Sequence, residues 1–204
     1  MARAALRRRL SWKVATVTAV AEETRNVRTL VLDVPDWPEH RAGQHYVVRI
    51  TADDGMQASR SYSVASAPEP GGPGTHVELT VERLEDGEVS PYLTDELRAG
   101  DQIEVRGPIG GYFVWEPAHG GPLLLVAGGS GIVPLMSMLR HRRRRDLGVP
   151  LALVVSVRSP EDLFYAGEYG PETTVVYTRS APPGHARPPG RLDAAVRVER
   201  FGPS

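Results

Sequence analysis

The chain is 204 residues long, room for one large domain or two small ones at the usual size of about 100–150 residues. Its 24 Lys and Arg against 25 Asp and Glu leave a formal charge of −1, which gives no general pull toward nucleic acid or a membrane surface. An apolar fraction of 41% excludes wholesale disorder, and the lack of any cysteine excludes disulfides, iron–sulfur clusters, thiolate zinc sites and a cysteine nucleophile within this chain.

Read from the N-terminus, Arg3, Arg7, Arg8 and Arg9 are not followed by an apolar stretch of signal-peptide length. No run approaches the roughly 18 apolar residues that span a bilayer, so the chain reads by default as soluble and cytoplasmic. The first part then reads as short strands. Trp12 to Val20 alternates, as does His76 to Glu82, where Val77, Leu79 and Val81 face one way and Glu78, Thr80 and Glu82 the other. Val27–Val34, His45–Ile50 and Ile103–Arg106 complete the set, separated by turns rich in Gly, Pro and Asp. With 21 Gly and 18 Pro in the chain, this pattern predicts an antiparallel β-barrel or sandwich, and closure into a barrel would remove its edges.

After Gly120-Gly121-Pro122 the pattern switches. Leu123–Ala127 and Leu151–Val157 are continuous apolar runs, Thr174–Tyr177 is a shorter one, and Ile132, Leu135, Met136 and Leu139 fall on one helical face. Uninterrupted apolar strands alternating with helices predict an α/β, Rossmann-like unit whose parallel sheet is covered on both faces. The division is drawn between 1–118 and 119–204.

Three segments can carry chemistry. In LLLVAGGSGIVP, 123–134, glycines at Gly128, Gly129 and Gly131 let backbone amides approach a bound group. The helix beyond, with Pro134 in its first turn, offers unpaired N–H groups and a partial positive charge, suited to a dinucleotide pyrophosphate. The alternative is that the glycines merely allow a tight strand–helix turn. In RSYSVAS, 60–66, Arg60 can grip a phosphate, Tyr62 offers a ring for stacking and Ser63 a hydroxyl donor, with Arg60 and Tyr62 on one strand face. Taken alone, it is equally an ordinary exposed strand. In EDGEVSPYL, 85–93, Gly87 opens a loop whose amides around Val89 and Ser90 can receive an anion, with a short helix from Pro91 toward Leu97; alone, it is a turn.

In this order the segments resemble those of the ferredoxin–NADP⁺ reductase superfamily, with Gly100-Asp101 through Gly107-Pro108-Ile109-Gly110 similar to its inter-domain stretch. The resemblance implies an FAD-binding barrel followed by a pyridine-nucleotide domain. It implies that Arg60 binds the flavin pyrophosphate, Tyr62 stacks on the flavin ring and Ser63 hydrogen-bonds near N5. Gly87, Val89 and Ser90 would hold the diphosphate from the other side, and the strand with Val77 and Leu79 would border the ring. Gly128, Gly129, Ser130, Gly131 and Pro134 would receive the dinucleotide. Arg158 and the pair Thr178-Arg179 would read its 2′-phosphate, which favours NADPH, with NADH possible. The implied activity is an FAD-dependent oxidoreductase: hydride passes from NAD(P)H to FAD, and electrons leave to an external carrier such as an iron–sulfur protein. No nucleic acid, membrane or metal is implied.

Elsewhere the plain readings hold. His141-Arg142-Arg143-Arg144-Arg145 reads as a solvated helix end, Met136 and Met138 as core or helix surface. The departure lies at the end of the sequence. Against the family's pattern, the resemblance implies that a Cys-Gly-Pro-like strand with its helix, on the order of 30 residues, is skipped between Ala195 and Val196, and Val196–Gly202 resembles the terminal strand. That gap opens a second expectation, an FAD-binding electron-transfer or accessory module with impaired pyridine-nucleotide use.

Overall fold

In the computed structural model, residues 10–36, 39–52, 54–68, 76–145 and 148–192 are described. Residues 193–204, which hold the supposed gap and the terminal-strand resemblance, lie outside them. Among the described residues no helix is long and apolar enough to cross a membrane.

Six antiparallel strands form the first sheet: β1 (Lys13–Thr24), β2 (Val27–Asp33), β3 (His45–Thr51), β4 (Gln57–Ser63), β5 (His76–Glu82) and β6 (Gln102–Ile109), in the order β4-β3-β6-β1-β2-β5. On β1 the small residues Ala15 and Val17 face the core, fully buried, while Val14 is half-exposed. Register shifts between Val17 and Ala19 and between Glu22 and Thr24 bend this strand and carry it past the point where its alternation fades. The expected barrel does not close. The sheet curls until its edge strands approach, but among the described residues they meet only through one bridge, Val64 with Leu79, and the bonds from Ala65 N–H to Glu78 O at 2.8 Å and from Glu78 N–H to Ser66 Oγ at 3.1 Å. The interior is filled from both ends of the sheet by Leu30, Leu32, Tyr46, Val48, Leu79 and Val81. Tyr46, fully buried, lies under β6 at Gly107, where a Cβ would overlap its ring.

The second sheet is parallel, in the order β7-β8-β9, from β7 (Leu123–Gly128), β8 (Leu151–Val157) and β9 (Thr173–Tyr177). Between β7 and β8 runs α1 (Ile132–Arg144). Its Ile132, Leu135, Met136 and Leu139 pack on Leu125, Leu153 and Val155, and Val27, Ala42 and Ala65 of the first half join the same cluster. The central strand β8 is buried on both faces as expected, with Ala152 and Val154 at 1% and 2% exposure, but among the described residues the expected cover does not extend to β7. β7 is an edge strand here, and Leu124 and Val126, on the face away from α1, are 53% and 50% exposed.

Candidate functional site

The parallel register sets Gly128 opposite Ser156 and Val157 opposite Tyr177, so the three strands end together. The loops leaving those ends are therefore gathered at one edge, where open parallel sheets bind ligands. Thr178 N–H donates to Val157 O at 2.8 Å, Arg179 N–H to Arg158 O at 2.9 Å and Ser180 N–H to Arg158 O at 3.1 Å. Here lies a cavity of about 410 Å³, bounded by Gly129, Arg158 and Thr178. The β1–β2 turn, Thr24 to Val27, and Glu82 border it from the first half, and Glu161, Asp162 and Phe164 from the second. Of the expected nucleotide residues, Gly129, Arg158 and Thr178 line the cavity; Arg179 is joined to Arg158 through the backbone without lining it. Gly128, Ser130 and Gly131 are exposed at the foot of α1, and Pro134 is half-buried in its first turn. Arg25, Asn26 and Phe164 carried no signal in the sequence, because a two-residue hairpin turn and a loop aromatic are common anywhere.

The space around the glycines bears on the two readings of this loop. A Cβ on Gly128 would meet nothing nearer than Ser156 O at 3.9 Å, and one on Gly131 would meet nothing within 4 Å. Internal packing therefore demands glycine at neither. Only Gly129, at φ +53°, is held to glycine by its backbone.

On the first half, β4 presents Arg60, Tyr62 and Ser63, paired across to Val48, Tyr46 and His45 of β3. Tyr62 is half-buried against the core, and burial, opposed by the nearby Arg60 charge, pushes its phenol up to about 12. Arg60 is exposed and reaches the third segment: its Nη2 lies 3.2 Å from Glu88 Oε2. That loop is tightly tied. Gly87 N–H donates to Leu84 O at 3.0 Å, Leu84 N–H donates to Ser90 Oγ at 3.0 Å, and Val89 is fully buried. The expected short helix forms beyond it as a single turn, Tyr92–Glu96. Val77 and Leu79 are buried at 2% and 0% exposure among core side chains, so their side chains face the interior rather than a ligand at the surface.

The glycine-loop helix is clasped to the segment just after Tyr62 and Ser63. Ser137 Oγ donates to Ser66 O at 2.7 Å, and Arg140 Nη1 donates to Ala65 O at 2.9 Å. Arg140 also pairs with Glu78 Oε2 at 2.6 Å and with Glu168. Burial works against its charge, but the hydrogen bond to Glu168 and the two carboxylates outweigh that and hold the guanidinium more firmly protonated than usual. Beside it, Tyr165 N–H donates to Glu23 Oε2 at 3.2 Å, and Thr29 Oγ1 donates to Glu23 Oε1 at 2.8 Å and lies 2.8 Å from Thr80 Oγ1. The basic run beyond is not a solvated helix end throughout. His141 is 6% exposed against Trp115, Arg142 donates to Val149 O at 3.1 Å, and Arg143 donates to Glu168 O at 2.7 Å and pairs with Glu172. Arg144 and Arg145 alone are exposed. Met136 and Met138 are core.

Residues 14–114 match the family model of the oxidoreductase FAD-binding domain. The ferredoxin–NAD(P)⁺ reductase component of the naphthalene 1,2-dioxygenase/salicylate 5-hydroxylase systems of Ralstonia sp. is 31% identical over 73% of this chain and 43% of its own length. The NADH oxidoreductase HCR of Escherichia coli (strain K12) is 30% identical over 78% of this chain and 47% of its own. Among solved structures, a ferredoxin NADP⁺ reductase from Neisseria gonorrhoeae with bound FAD and NADP superposes with a TM-score of 0.72 at 25% identity, covering 84% of this chain and 70% of that one. The chain thus spans less than half the length of the two curated relatives.

Proposed function

We propose that this chain, which belongs to the ferredoxin–NADP⁺ reductase superfamily, is the flavin- and nucleotide-binding part of a reductase that oxidises NAD(P)H and feeds a separate redox carrier. Bound FAD would accept a hydride from the nicotinamide and give its electrons up singly. The chain's own residues do the holding. Exposed Arg60 can turn to a diphosphate, the half-buried Tyr62 ring can stack, and the exposed glycine loop at the foot of α1 has room for a second diphosphate at the helix N-terminus. Arg158 and Thr178 take the adenosine end, and Arg158 supports NADPH as the preferred donor. The division at 118/119 belongs to this reading, with one cofactor on each side.

The observation that carries it is the clasp of α1 onto Ala65 and Ser66, which fixes the nucleotide loop and the flavin strand in one relation. Hydride transfer depends on such fixed approach. The relatives' names are those of reductases, which lends nothing to the accessory module with impaired nucleotide use. Anaerobic mixing of the FAD-loaded protein with NADPH should bleach the flavin absorbance; a flavin that stays oxidised with both NADPH and NADH would sink the reading. Arg60→Ala combined with Tyr62→Ala should lose flavin, and unchanged flavin content would overturn the site.

A further inference from the structure

We infer that Glu88 is an internal competitor for the flavin diphosphate, holding Arg60 until the phosphates displace it and so setting how tightly a phosphorylated flavin binds. The inference rests on the flavin reading of Arg60. Among the described residues the Arg60 guanidinium has two hydrogen-bond partners, its neighbour's carbonyl, Ser59 O at 2.8 Å, and the Glu88 carboxylate at 3.2 Å. The Glu88 side chain is 70% exposed and that of Arg60 is 55% exposed, so neither is locked by packing and the pair is an easily opened surface bridge.

The loop nonetheless delivers Glu88 to that place. Val89, next in sequence, is buried in the core, and Gly87 N–H donates to Leu84 O and Leu84 N–H to Ser90 Oγ, so the backbone of residues 87–90 is anchored beside Arg60. The backbone therefore keeps the Glu88 carboxylate within reach of any anion that Arg60 receives. A diphosphate must break the bridge and then sit near a third negative charge, an adverse term that a flavin without phosphate does not meet. Glu88 is a positioning residue that acts through Arg60, not a ligand of the ring.

The test compares FAD with riboflavin on the full chain, by quenching of flavin fluorescence. Glu88→Gln keeps the shape and removes the charge. It should tighten FAD by about threefold to tenfold at low ionic strength, with the gain shrinking as salt rises, and leave riboflavin unchanged. In an Arg60→Ala background the same change should give a much smaller gain. Equal tightening of FAD and riboflavin, no tightening of FAD, or a gain of the same size without Arg60 would overturn the inference. The flavin reading fails separately: a wild-type chain that binds FAD no better than riboflavin, with Arg60→Ala alike, removes the diphosphate contact and Glu88's role with it.

Discussion

The phenol of Tyr165 donates to Thr80 Oγ1 at 2.5 Å, closing a ring of hydrogen bonds that runs through Thr29 and Glu23 and returns to the backbone of Tyr165. One residue of the second half is thus held by both its main chain and its side-chain tip to the first. Tyr165 and Thr80 are 3% and 4% exposed, so water cannot replace a lost partner. Tyr165→Phe should cost about 1–2 kcal/mol, the penalty for leaving a buried hydroxyl partner short of a bond. Denaturant unfolding will measure it, and Thr80→Val in the same background should add less than it does alone. Full additivity would mean that the two do not act together.

Arg140 carries the other half of the clasp. Its side chain is 20% exposed and faces Glu78 and Glu168, one from each half. Arg140→Met keeps the stem but leaves two carboxylates facing each other and the Ala65 carbonyl without its donor. A loss of about 2–4 kcal/mol is expected by equilibrium unfolding. Arg140→Lys should recover only part of it, because an ammonium cannot fork between both acids and a carbonyl. Wild-type stability in either variant would show the clasp to be ornamental.

The cavity proposed to take the nucleotide separates Arg158 from Arg179, since only the former lines it. Arg158→Ala should weaken NADPH about tenfold more than NADH, the scale of one charge-assisted hydrogen bond to phosphate. Arg179→Ala should act less, through the backbone it shares with Arg158. Titration of each variant with both nucleotides decides it; equal losses for NADPH and NADH would remove Arg158 from 2′-phosphate recognition.

His141 sets an acid limit on stability. Burial and then the nearby Arg145 hold its imidazole below the usual range, so the folded chain prefers the neutral ring. The unfolded chain takes up the proton first, near pH 6.5. Stability is therefore complete above that value and falls as pH drops toward the lower folded value. His141→Phe, which keeps a ring against Trp115, should flatten the loss between about pH 7 and 5. Unfolding curves at both ends of that window test it, and an unchanged slope would exonerate His141.

The two-part architecture could be read from the sequence because its cause is local. A sheet packed on one side forces apolar residues to alternate, as in His76–Glu82, while one packed on both sides permits a continuous run, as in Leu151–Val157. The glycine loop and the Arg60–Ser63 strand were legible for the same reason, each being a contiguous segment with its own composition. The residues that join the halves were not. Arg140 meets Glu78 across 62 positions and Tyr165 meets Thr80 across 85, and nothing beside either pair in the chain marks it. His141 was hidden by its charged neighbours, since what buries it is the Trp115 ring from a distant segment. The barrel's failure to close is likewise a property of the sheet edges, decided by how β4 and β5 meet rather than by any strand's own pattern.

Gly107 belongs to none of the segments assigned to a cofactor, yet Tyr46 leaves it no room for even a methyl group. Tyr46 stands across the ladder from Tyr62, so bulk introduced at 107 would be felt one strand further on, at the phenol assigned to the flavin. A natural variant there would mimic a cofactor-binding defect while being, in origin, a fault of interior space.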